Sequence, residues 1–547
     1  MSDLNPSVTR SSLVMASGTI VSRILGFARA VLLAAAIGVT TDAADAFGVA
    51  NQLPNSVYAI IVGGVLNAVL VPQLVRARAL ADGGKGYIDR FVTLVITVFF
   101  IVSILFTIAA PILVRLYTSG WTEEQLALAT AFAYWCLPQL FFYGLYSIFG
   151  EVLNSRSAFG PFMWAPVLNN IVSIAGLVAF IIIFGADPTG ERSVEMWGAD
   201  RISLLAGSAT AGVAAQAFIL LVSWKRLGLN LNLNFRWRGF GLRPALKAAS
   251  WSLAMVLVTQ VGGLVQTAVA STAAAGRDSS IGVASVAAAA IAWLIFMLPH
   301  SVVTVSVATA YFTRMSQHAA AGEMTSFKTD LTNGLKVIGL VSVISSALLV
   351  LLAYPIARVF AGEYPATIAL GNVIMALMVG LVPFSFVYMM QRAFFALEDT
   401  RTPFVFTSIQ IAFHIAGSIA LGATMPKQWL VVSLSLLTAT TIVLQGLIAY
   451  FLLKRKIGGL NGFGIGKSLG VFILTMIPAI GLGYGSLWLL GGTVQGSFAL
   501  DKVFGAVVVS MVVASVTLGS YLGLLWLFKV PQLREVSGAL SARLKRR

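Results

Sequence analysis

The chain has 547 residues, of which 58% are hydrophobic and only 10% are charged, and its mean hydropathy is +0.91. Soluble domains carry about 25% charged residues, so this composition indicates an integral membrane protein with many spans. The single cysteine, Cys136, excludes a disulfide framework, and three widely separated histidines argue against a catalytic or metal cluster. We therefore predict no catalytic residue, no metal site and no bound cofactor.

Apolar runs of about 20 residues predict fourteen membrane-spanning helices, since that length crosses the hydrocarbon core. The predicted spans are 12–37, 46–75, 90–118, 123–153, 160–185, 202–224, 246–275, 281–313, 334–361, 366–397, 403–425, 428–453, 466–491 and 503–528.

The lysine and arginine residues indicate the orientation of these spans. With the N-terminus inside, 26 of the 36 basic residues lie in inside segments, five in outside loops and five within spans. Positive charge accumulates on the cytoplasmic side, so we predict that both termini are cytoplasmic. Basic residues in short loops also explain the net charge of +16 without a nucleic-acid partner.

Three sequence echoes, at an offset near 245 residues, indicate an internal repeat. "LPN" at 53–55 pairs with "LPH" at 298–300, "PILVRLY" at 111–117 with "PIARVF" at 355–360, and "LNSRSAFGPF" at 153–162 with "EDTRTPF" at 398–404. Both copies begin inside, which predicts a parallel repeat with the site between the halves, as in an alternating-access carrier.

The repeat predicts the domain organisation. Strict apolar–polar alternation at 229–240 predicts an extended interfacial segment between the halves. The predicted domains are an N-lobe at 1–227 (spans 1–6), an interfacial linker at 228–245, a C-lobe at 246–456 (spans 7–12), spans 13 and 14 at 457–530, and a basic cytoplasmic tail at 531–547.

The strongest candidate site residues are Arg23 and Arg29, which lie in the middle of the first span. Each costs about 2.5–3.5 kcal/mol at a helix centre, so a functional reason is expected. They lie about 120° and about 9 Å apart on a helix, so a kink at Gly26 or a large anion would let both bind one ligand. Arginine favours planar binding of phosphate or carboxylate. The alternative is a structural role, with carbonyls or the carboxylates of Asp42 and Asp45 as partners.

Proline in two spans predicts broken helices. Pro54 removes a backbone hydrogen bond beside Asn55, and Pro299 does the same beside His300 in the second half. We expect the first break to face a cavity. His300 is either a proton-coupling group or a packing residue.

Other polar residues within spans extend the candidate set. Gln260 adds polarity to span 7, and Arg392 and Glu398, near the cytoplasmic end of span 10, fit a gate or ion pair as well as a substrate contact. Arg115 and Arg358 lie near outer span ends, where a structural role is favoured.

Several motifs resemble the MurJ/MviN family of lipid II flippases. They are "SRILGFAR" at 22–29, "DAF" at 45–47, "LPN" at 53–55, "VPQL" at 71–74, "GEVLNSRSAFGPFMWAPVLNN" at 150–170 and "EDTRTP" at 398–403. The resemblance covers all fourteen spans, and the first sixty residues are its most specific part.

The resemblance implies a V-shaped all-α membrane protein of the MOP superfamily, with two six-helix lobes and two further helices that form a lipid-tail groove. It implies transport of undecaprenyl-diphosphate-linked muropeptide to the outer leaflet of the bacterial cytoplasmic membrane. Arg23 and Arg29 match the family's two essential first-span arginines, Asp45 matches its acidic residue after span 1, Asn55 matches its Leu-Pro-Asn asparagine, and Gln260 resembles a polar position on span 7. The implied partners are lipid II, membrane lipids and proteins of cell-wall synthesis and division.

The sequence departs from the family pattern at cationic positions. An arginine three residues after the Leu-Pro-Asn asparagine is replaced by Tyr58, and a glutamate of span 2 by Gly63-Gly64. The span 8 arginine and glutamate fall near Trp293 to Met297. We expect a less cationic cavity, as in a variant from high-GC Gram-positive bacteria.

Two other functions remain open from the residues. Another MOP carrier, either a polysaccharide-lipid flippase or a multidrug/cation antiporter, would share the fold, although an antiporter is expected to use carboxylates in place of span-centre arginines. A membrane enzyme would need clustered aspartate and histidine or metal carboxylates, which the sequence lacks. We expect transport to be driven by the membrane potential or by a coupled ion.

Overall fold

The computed structural model describes residues 6–62, 85–156, 158–228, 232–236, 242–277 and 282–533. Throughout these residues the secondary structure is helical, and the chain forms two compact units, Met1–Thr272 and Ala273–Arg547. The helices of the first unit are α1 (Pro6–Ile37), α2 (Asp42–Ile61), α3 (Lys85–Ile108), α4 (Ala110–Tyr117), α5 (Glu123–Cys136), α6 (Gln139–Ser155), α7 (Phe159–Phe184), α8 (Ala199–Arg226) and α9 (Leu242–Ser271).

The second unit is also built of helices. Its helices are α10 (Val286–Pro299), α11 (Val305–Ala320), α12 (Met324–Leu351), α13 (Ala353–Phe360), α14 (Tyr364–Met378), α15 (Leu381–Ala396), α16 (Arg401–Thr424), α17 (Lys427–Lys456), α18 (Gly462–Leu489), α19 (Phe498–Asp501) and α20 (Val503–Leu527).

The described residues contain 12 helices long and apolar enough to cross a membrane, or 13 when α14 and α15, bent by 43°, count as one span. They account for every predicted span except the second. The described part of that span is α2, and residues 63–84 lie outside the described residues. The prediction of an all-α polytopic membrane protein is confirmed.

The order of helices repeats as the sequence echoes predict. Helices α3 to α8 recur as α12 to α17: a long helix, an eight-residue helix, a pair separated by two residues, and two long helices. The echo of "PILVRLY" and "PIARVF" corresponds to α4 and α13, the two short helices. The third echo spans the turns before α7 and α16.

The compact units do not coincide with the lobes predicted from the repeat. Helix α9, which was expected to begin the C-lobe, belongs to the first unit, because Gln260 and Thr267 hydrogen-bond to α2 and Ser271 to the turn after α4. The lobe boundaries stay a prediction. In the linker, the backbone N–H groups of Asn232 and Asn234 donate to Asp89 and Thr93 of α3, so alternate residues face that helix.

A short loop holds the end of α1 in the first unit. The carboxylate of Asp187 accepts hydrogen bonds from three backbone N–H groups, those of Gly190, Glu191 and Arg192, at 2.8–3.0 Å. The backbone N–H of Asp187 donates to the Ala35 carbonyl at 3.0 Å. Carbonyls at a helix C-terminus lack intrahelical partners, so this loop caps the helix that carries Arg23 and Arg29.

Arg358 and Arg115 occupy equivalent positions in the repeat but make different contacts. Arg358 donates to the carbonyls of Leu500 and Asp501 at 2.7 Å and to that of Ala361 at 2.5 Å, so it fastens α13 to α19. Arg115 forms an exposed ion pair with Glu123 at 3.2 Å. The structural role of Arg358 is therefore to join α13 to α19 through hydrogen bonds to backbone carbonyls.

Asp399 organises the turn between α15 and α16. It accepts hydrogen bonds from the backbone N–H and hydroxyl of Thr402, at 2.9 and 2.7 Å, and forms an ion pair with Lys456 of α17 at 2.7 Å. Burial raises the pKa of the Asp399 carboxyl, but the hydrogen bonds from Lys456 and Thr402 outweigh burial and hold the pKa below its ordinary value.

Arg358→Ala is expected to lower the free energy of unfolding by about 1–3 kcal/mol, because three carbonyls lose a charged donor. Thermal unfolding of the purified protein in detergent measures the effect. Arg115→Ala is the matched control, and its exposed ion pair predicts a loss of at most about 1 kcal/mol. Equal losses in the two variants would contradict the fastening role of Arg358.

Asp399→Asn is expected to lower the melting temperature at pH 7 and to have a smaller effect below about pH 3.9, the ordinary pKa of aspartate. A lowered folded-state pKa stabilises the fold above the unfolded pKa, and this stabilisation is lost as the pH falls through the folded pKa. Melting curves at both pH values measure the change. Glu398→Gln, at an exposed neighbouring residue, should have no effect at either pH, and a pH-independent loss in Asp399→Asn would refute the ionic contribution.

Candidate functional site

The site is built on α1, which runs without interruption from Pro6 to Ile37. Arg23 and Arg29 therefore keep the helical separation of about 120° and about 9 Å. Helix α1 is continuous through Gly26, and a hinge at this glycine stays a prediction. A Cβ atom at Gly26 would meet only Asn170, at 3.8 Å, so the glycine allows close packing without being required for it.

The two arginines lack the partners that a structural role would need. The Nε atom of Arg23 is buried and has no hydrogen-bond partner. Neither arginine forms an ion pair with Asp42, Asp45 or another carboxylate of the described residues; Asp42 instead accepts a hydrogen bond from Gln125 at 3.4 Å. A buried donor without an acceptor is costly, so the Arg23 Nε atom suits an anionic ligand.

Helix α7 fixes the position of α1. The Nδ2 atom of Asn170 donates to the Ser22 carbonyl at 2.8 Å, and the indole of Trp164 lies against Gly18. The neighbouring Asn169 donates to Gln216 of α8 at 2.8 Å. The two asparagines of the "APVLNN" motif therefore connect α7 to the helices on either side, as polar residues commonly do between membrane helices.

The predicted residues of α2 have different environments. Asp45 is fully buried in the first turn, where the helix N-terminus stabilises a carboxylate, and Thr41 caps the helix by accepting from Ala44 at 3.0 Å. Pro54 lies inside α2, which continues to Ile61, so the predicted break is absent from this structure. Asn55 is exposed and donates to the Asn51 carbonyl at 3.1 Å in that turn.

Gln260 reaches the same part of α2. Its Nε2 atom donates to the Ser56 carbonyl at 2.7 Å, and Gln52, one turn earlier in α2, donates to Thr267, two turns later in α9, at 3.3 Å. The structure therefore brings Gln260 to the residue that follows Asn55. The roles of Asp45, Asn55 and Gln260 in substrate binding stay predictions.

Sequence analysis missed two residues of α6, Gln139 and Tyr143, that lie beside α2. The Tyr143 hydroxyl donates to Gln139 at 3.3 Å, and the Gln139 Nε2 atom donates to Asn51 of α2 at 3.3 Å. The available sequence signal was Pro138-Gln139, a proline and an amide within an apolar run, but nothing in the sequence indicated that these residues approach α2.

Aromatic side chains occupy positions where the family pattern has cations. Tyr58 packs on Tyr143, with ring centroids 5.3 Å apart, and on Phe99 at 6.5 Å. Trp293 stacks on Phe296 at 5.2 Å. Gly63-Gly64 lies outside the described residues.

In the second unit, Pro299 and His300 lie at the junction between α10 and α11. The α-helix α10 ends at Pro299 and gives way to a π-helical turn, His300–Thr304, as the proline pattern predicts. His300 is buried, and its Nδ1 atom lies 3.3 Å from the Ser385 hydroxyl.

Arg392 and Glu398 do not form the ion pair considered from the sequence. Arg392 donates to the Tyr388 hydroxyl at 2.7 Å and lies over the rings of Tyr388 and Phe312. Glu398 is exposed, with a φ of 57°, just after the end of α15. Its neighbour Asp399 forms the ion pair at this turn, and the gating role of Arg392 and Glu398 stays a prediction. No group of three histidine, cysteine or acidic residues in the described part of the chain could hold a metal ion.

Comparison with known proteins agrees with these features. The family described as "Lipid II flippase MurJ" matches residues 33–528. A protein of Rhizobium tropici named "Probable lipid II flippase MurJ" is 28% identical over 425 residues, which are 76% of each chain.

Solved structures show the same fold. The structure titled "Lipid II flippase MurJ, inward closed conformation" matches with a TM-score of 0.68 and 18% identity, over 92% of this chain and 98% of that chain. A crystal structure of a MATE transporter matches with a TM-score of 0.58 and 17% identity, over 82% of this chain and 95% of the other. Because the family match covers most of the sequence, the chain belongs to the MurJ family of lipid II flippases, which are transporters.

Proposed function

We propose that this chain carries lipid II across the membrane by alternating access and that Arg23 and Arg29 bind the diphosphate. The observation that carries the proposal is that neither arginine forms an ion pair with a carboxylate of the described residues, and that the buried Arg23 Nε atom has no hydrogen-bond partner. Moving a diphosphate through hydrocarbon is costly, and guanidinium groups lower this cost with charge-assisted, planar hydrogen bonds.

The lipid tail has a suitable surface in the second unit. A groove of about 310 Å³ lies between α12, α15 and α18 and is lined almost entirely by apolar side chains, which are Val343, Ser346, Ala347, Val382, Leu469, Ile473, Met476, Ile477 and Ile480. Its apolar lining suits a segment of a polyprenyl chain. Helix α18, the thirteenth predicted span, contributes most of the lining, which supports the assignment of this span to tail binding.

Three further features complete the proposed transport cycle: the orientation of the termini, the driving force and the fate of the lipid. Both termini lie in the cytoplasm, in agreement with the excess of basic residues in inside segments. The membrane potential resets the empty carrier, since one charge that crosses it contributes about 2.3 kcal/mol per 100 mV. Lipid II delivered to the outer leaflet is consumed by proteins of cell-wall synthesis and division. In sealed vesicles, turnover that ignores an imposed potential would exclude this driving force.

Arg23→Ala and Arg29→Ala are each expected to fail in a bacterial strain depleted of its own lipid II flippase. Loss of a charged hydrogen bond costs about 1.5–3 kcal/mol, a decrease of about 10- to 150-fold in diphosphate affinity. Arg23→Lys and Arg29→Lys should rescue in part, because lysine keeps the charge but loses the planar pair of donors.

Arg115→Ala removes an exposed arginine far along the chain from the site and should rescue fully, provided that all variants reach the membrane in equal amounts. Full rescue by both alanine variants of the α1 arginines would overturn the site. Failure of the well-expressed wild type would overturn the function itself.

Ala347→Trp is expected to fill the groove and to weaken binding of undecaprenyl diphosphate much more than that of the shorter farnesyl diphosphate, because only the long tail needs the groove. Binding to the purified protein in nanodiscs measures both affinities. Leu474→Trp adds the same ring to an exposed position of α18 and should change neither affinity. Equal effects on the two lipids would show that the groove does not bind the tail.

A further inference from the structure

Ring side chains of the second unit form a continuous strip from α10 to α15. Trp293 of α10 stacks on Phe296, with ring centroids 5.2 Å apart and an angle of 18° between the planes, and meets Phe384 of α15 edge to face at 6.0 Å. The ring of His300 lies 4.5 Å from that of Phe384 and 5.1 Å from that of Tyr388. The strip therefore extends from Trp293 to Tyr388 through direct ring contacts.

Arg392 continues the strip along α15. Phe384, Tyr388 and Arg392 follow one another at intervals of four residues, so they share one face of the helix. The Arg392 guanidinium lies 5.0 Å from the centre of the Tyr388 ring and 5.6 Å from that of Phe312 of α11. Charged residues within spans face the interior of the bundle or water, so this face of α15 is turned away from lipid.

Trp293 has an open face at the other end of the strip. Phe296, which is fully buried, covers one face of the indole, because the two rings are nearly parallel. Trp293 still has 42% of its surface exposed. An indole that is held against a buried ring and is open on its outer side forms a rigid platform on which a flat ligand can stack.

The Arg392 end of the strip offers hydrogen-bond donors. Arg392 donates to the Tyr388 oxygen at 2.7 Å, and Tyr388 is its only hydrogen-bond partner among the described residues. The other N–H groups of the guanidinium and the phenolic proton are not used in this bond. These donors lie about 12 Å along α15 from Phe384, which adjoins the Trp293 platform.

An apolar platform with donors beside it matches the chemistry of a sugar. A pyranose ring presents a patch of C–H bonds on its face, which aromatic rings attract because their own faces carry partial negative charge. Its edge carries hydroxyl groups, which need hydrogen-bond partners when they leave water. A polyprenyl chain lacks such an edge and a diphosphate lacks such a face, so neither of them uses both parts of the strip.

We propose that this strip binds the sugar rings of the lipid-linked muropeptide, with one ring stacked on Trp293 and hydrogen bonds from Tyr388 and Arg392 to the sugar oxygens. The inference rests on the proposed function and adds a subsite for the sugars to the arginines assigned to the diphosphate. The family pattern has an arginine and a glutamate near Trp293 to Met297, so this platform belongs to chains that carry aromatic residues here.

The test compares the affinities of the purified protein in nanodiscs for lipid II and for undecaprenyl diphosphate, which lacks the sugars. Trp293→Leu should weaken binding of lipid II about tenfold and leave that of undecaprenyl diphosphate within about twofold, because only a sugar stacks on the indole. Trp293→Phe keeps an aromatic face and should retain most of the affinity for lipid II. Tyr388→Phe loses a donor and should weaken binding of lipid II alone, by about fivefold.

Trp488→Leu is the matched control. Trp488 lies on α18, is 69% exposed and is remote in sequence from the strip, so its loss should change neither affinity. Thermal unfolding of every variant separates a binding effect from a general loss of stability.

The outcomes are distinct. Wild-type affinity for lipid II in Trp293→Leu, an equal loss for both lipids in that variant, or equal losses in Trp293→Leu and Trp293→Phe would each overturn the inference and leave the proposed function intact. Wild-type affinity in Tyr388→Phe would overturn the role of its hydroxyl as a donor. A wild-type protein that binds neither lipid would overturn the proposed function and this inference with it.

Discussion

The site depends on the fact that Arg23 and Arg29 form no ion pair with a carboxylate of the described residues. Two guanidinium groups in one apolar helix oppose membrane insertion, and in the described residues no carboxylate compensates them. The surrounding contacts hold this costly helix in place: Asn170 bonds to its middle, and the Asp187 loop caps its end. The fold therefore holds these two charges in fixed positions, and their best partner is an anion from outside the protein.

The choice of neutral groups around these charges has a physical consequence. A permanent carboxylate next to Arg29 would form an ion pair that a diphosphate must break, and breaking a buried pair costs several kcal/mol. Amide and phenol oxygens bind an arginine less strongly and release it at lower cost. A carrier has to bind and also to release its substrate, so surroundings without a carboxylate partner suit this task better than aspartate or glutamate beside the arginines.

The extent to which the sequence predicts the structure differs between fold and site. The spans follow from hydropathy because every helix in lipid needs about 20 apolar residues, and the two short helices α4 and α13 coincide with one sequence echo. The two prolines were treated alike, yet only Pro299 borders a change from α-helix to π-helix, whereas α2 continues past Pro54. Lone prolines are tolerated in membrane helices where neighbouring groups satisfy the freed backbone groups, and this depends on tertiary contacts that the local sequence does not specify.

The arginines of the site could be recognised from the sequence because charge in a span is rare, but the polar contacts between helices could not. Gln139 donates to Asn51 and Thr210, which are 88 and 71 residues away, and no local pattern links the three. The same limit applied to Arg392, whose proximity to Glu398 in sequence suggested an ion pair while the fold gives it Tyr388 and Phe312.

The two copies of the repeat differ in the contacts that their equivalent polar residues make. Helices α3 to α8 and α12 to α17 share one order, so the scaffold is duplicated, but equivalent residues do different things. Arg115 forms an exposed ion pair and Arg358 binds three carbonyls; "LPN" ends in an exposed asparagine and "LPH" in a buried histidine bonded to Ser385. The common helix order needs apolar runs of about 20 residues in both copies, and single polar residues differ between them. Specific chemistry in this chain is therefore to be sought where the two copies differ, and the arginines of α1 lie outside the duplicated helices altogether.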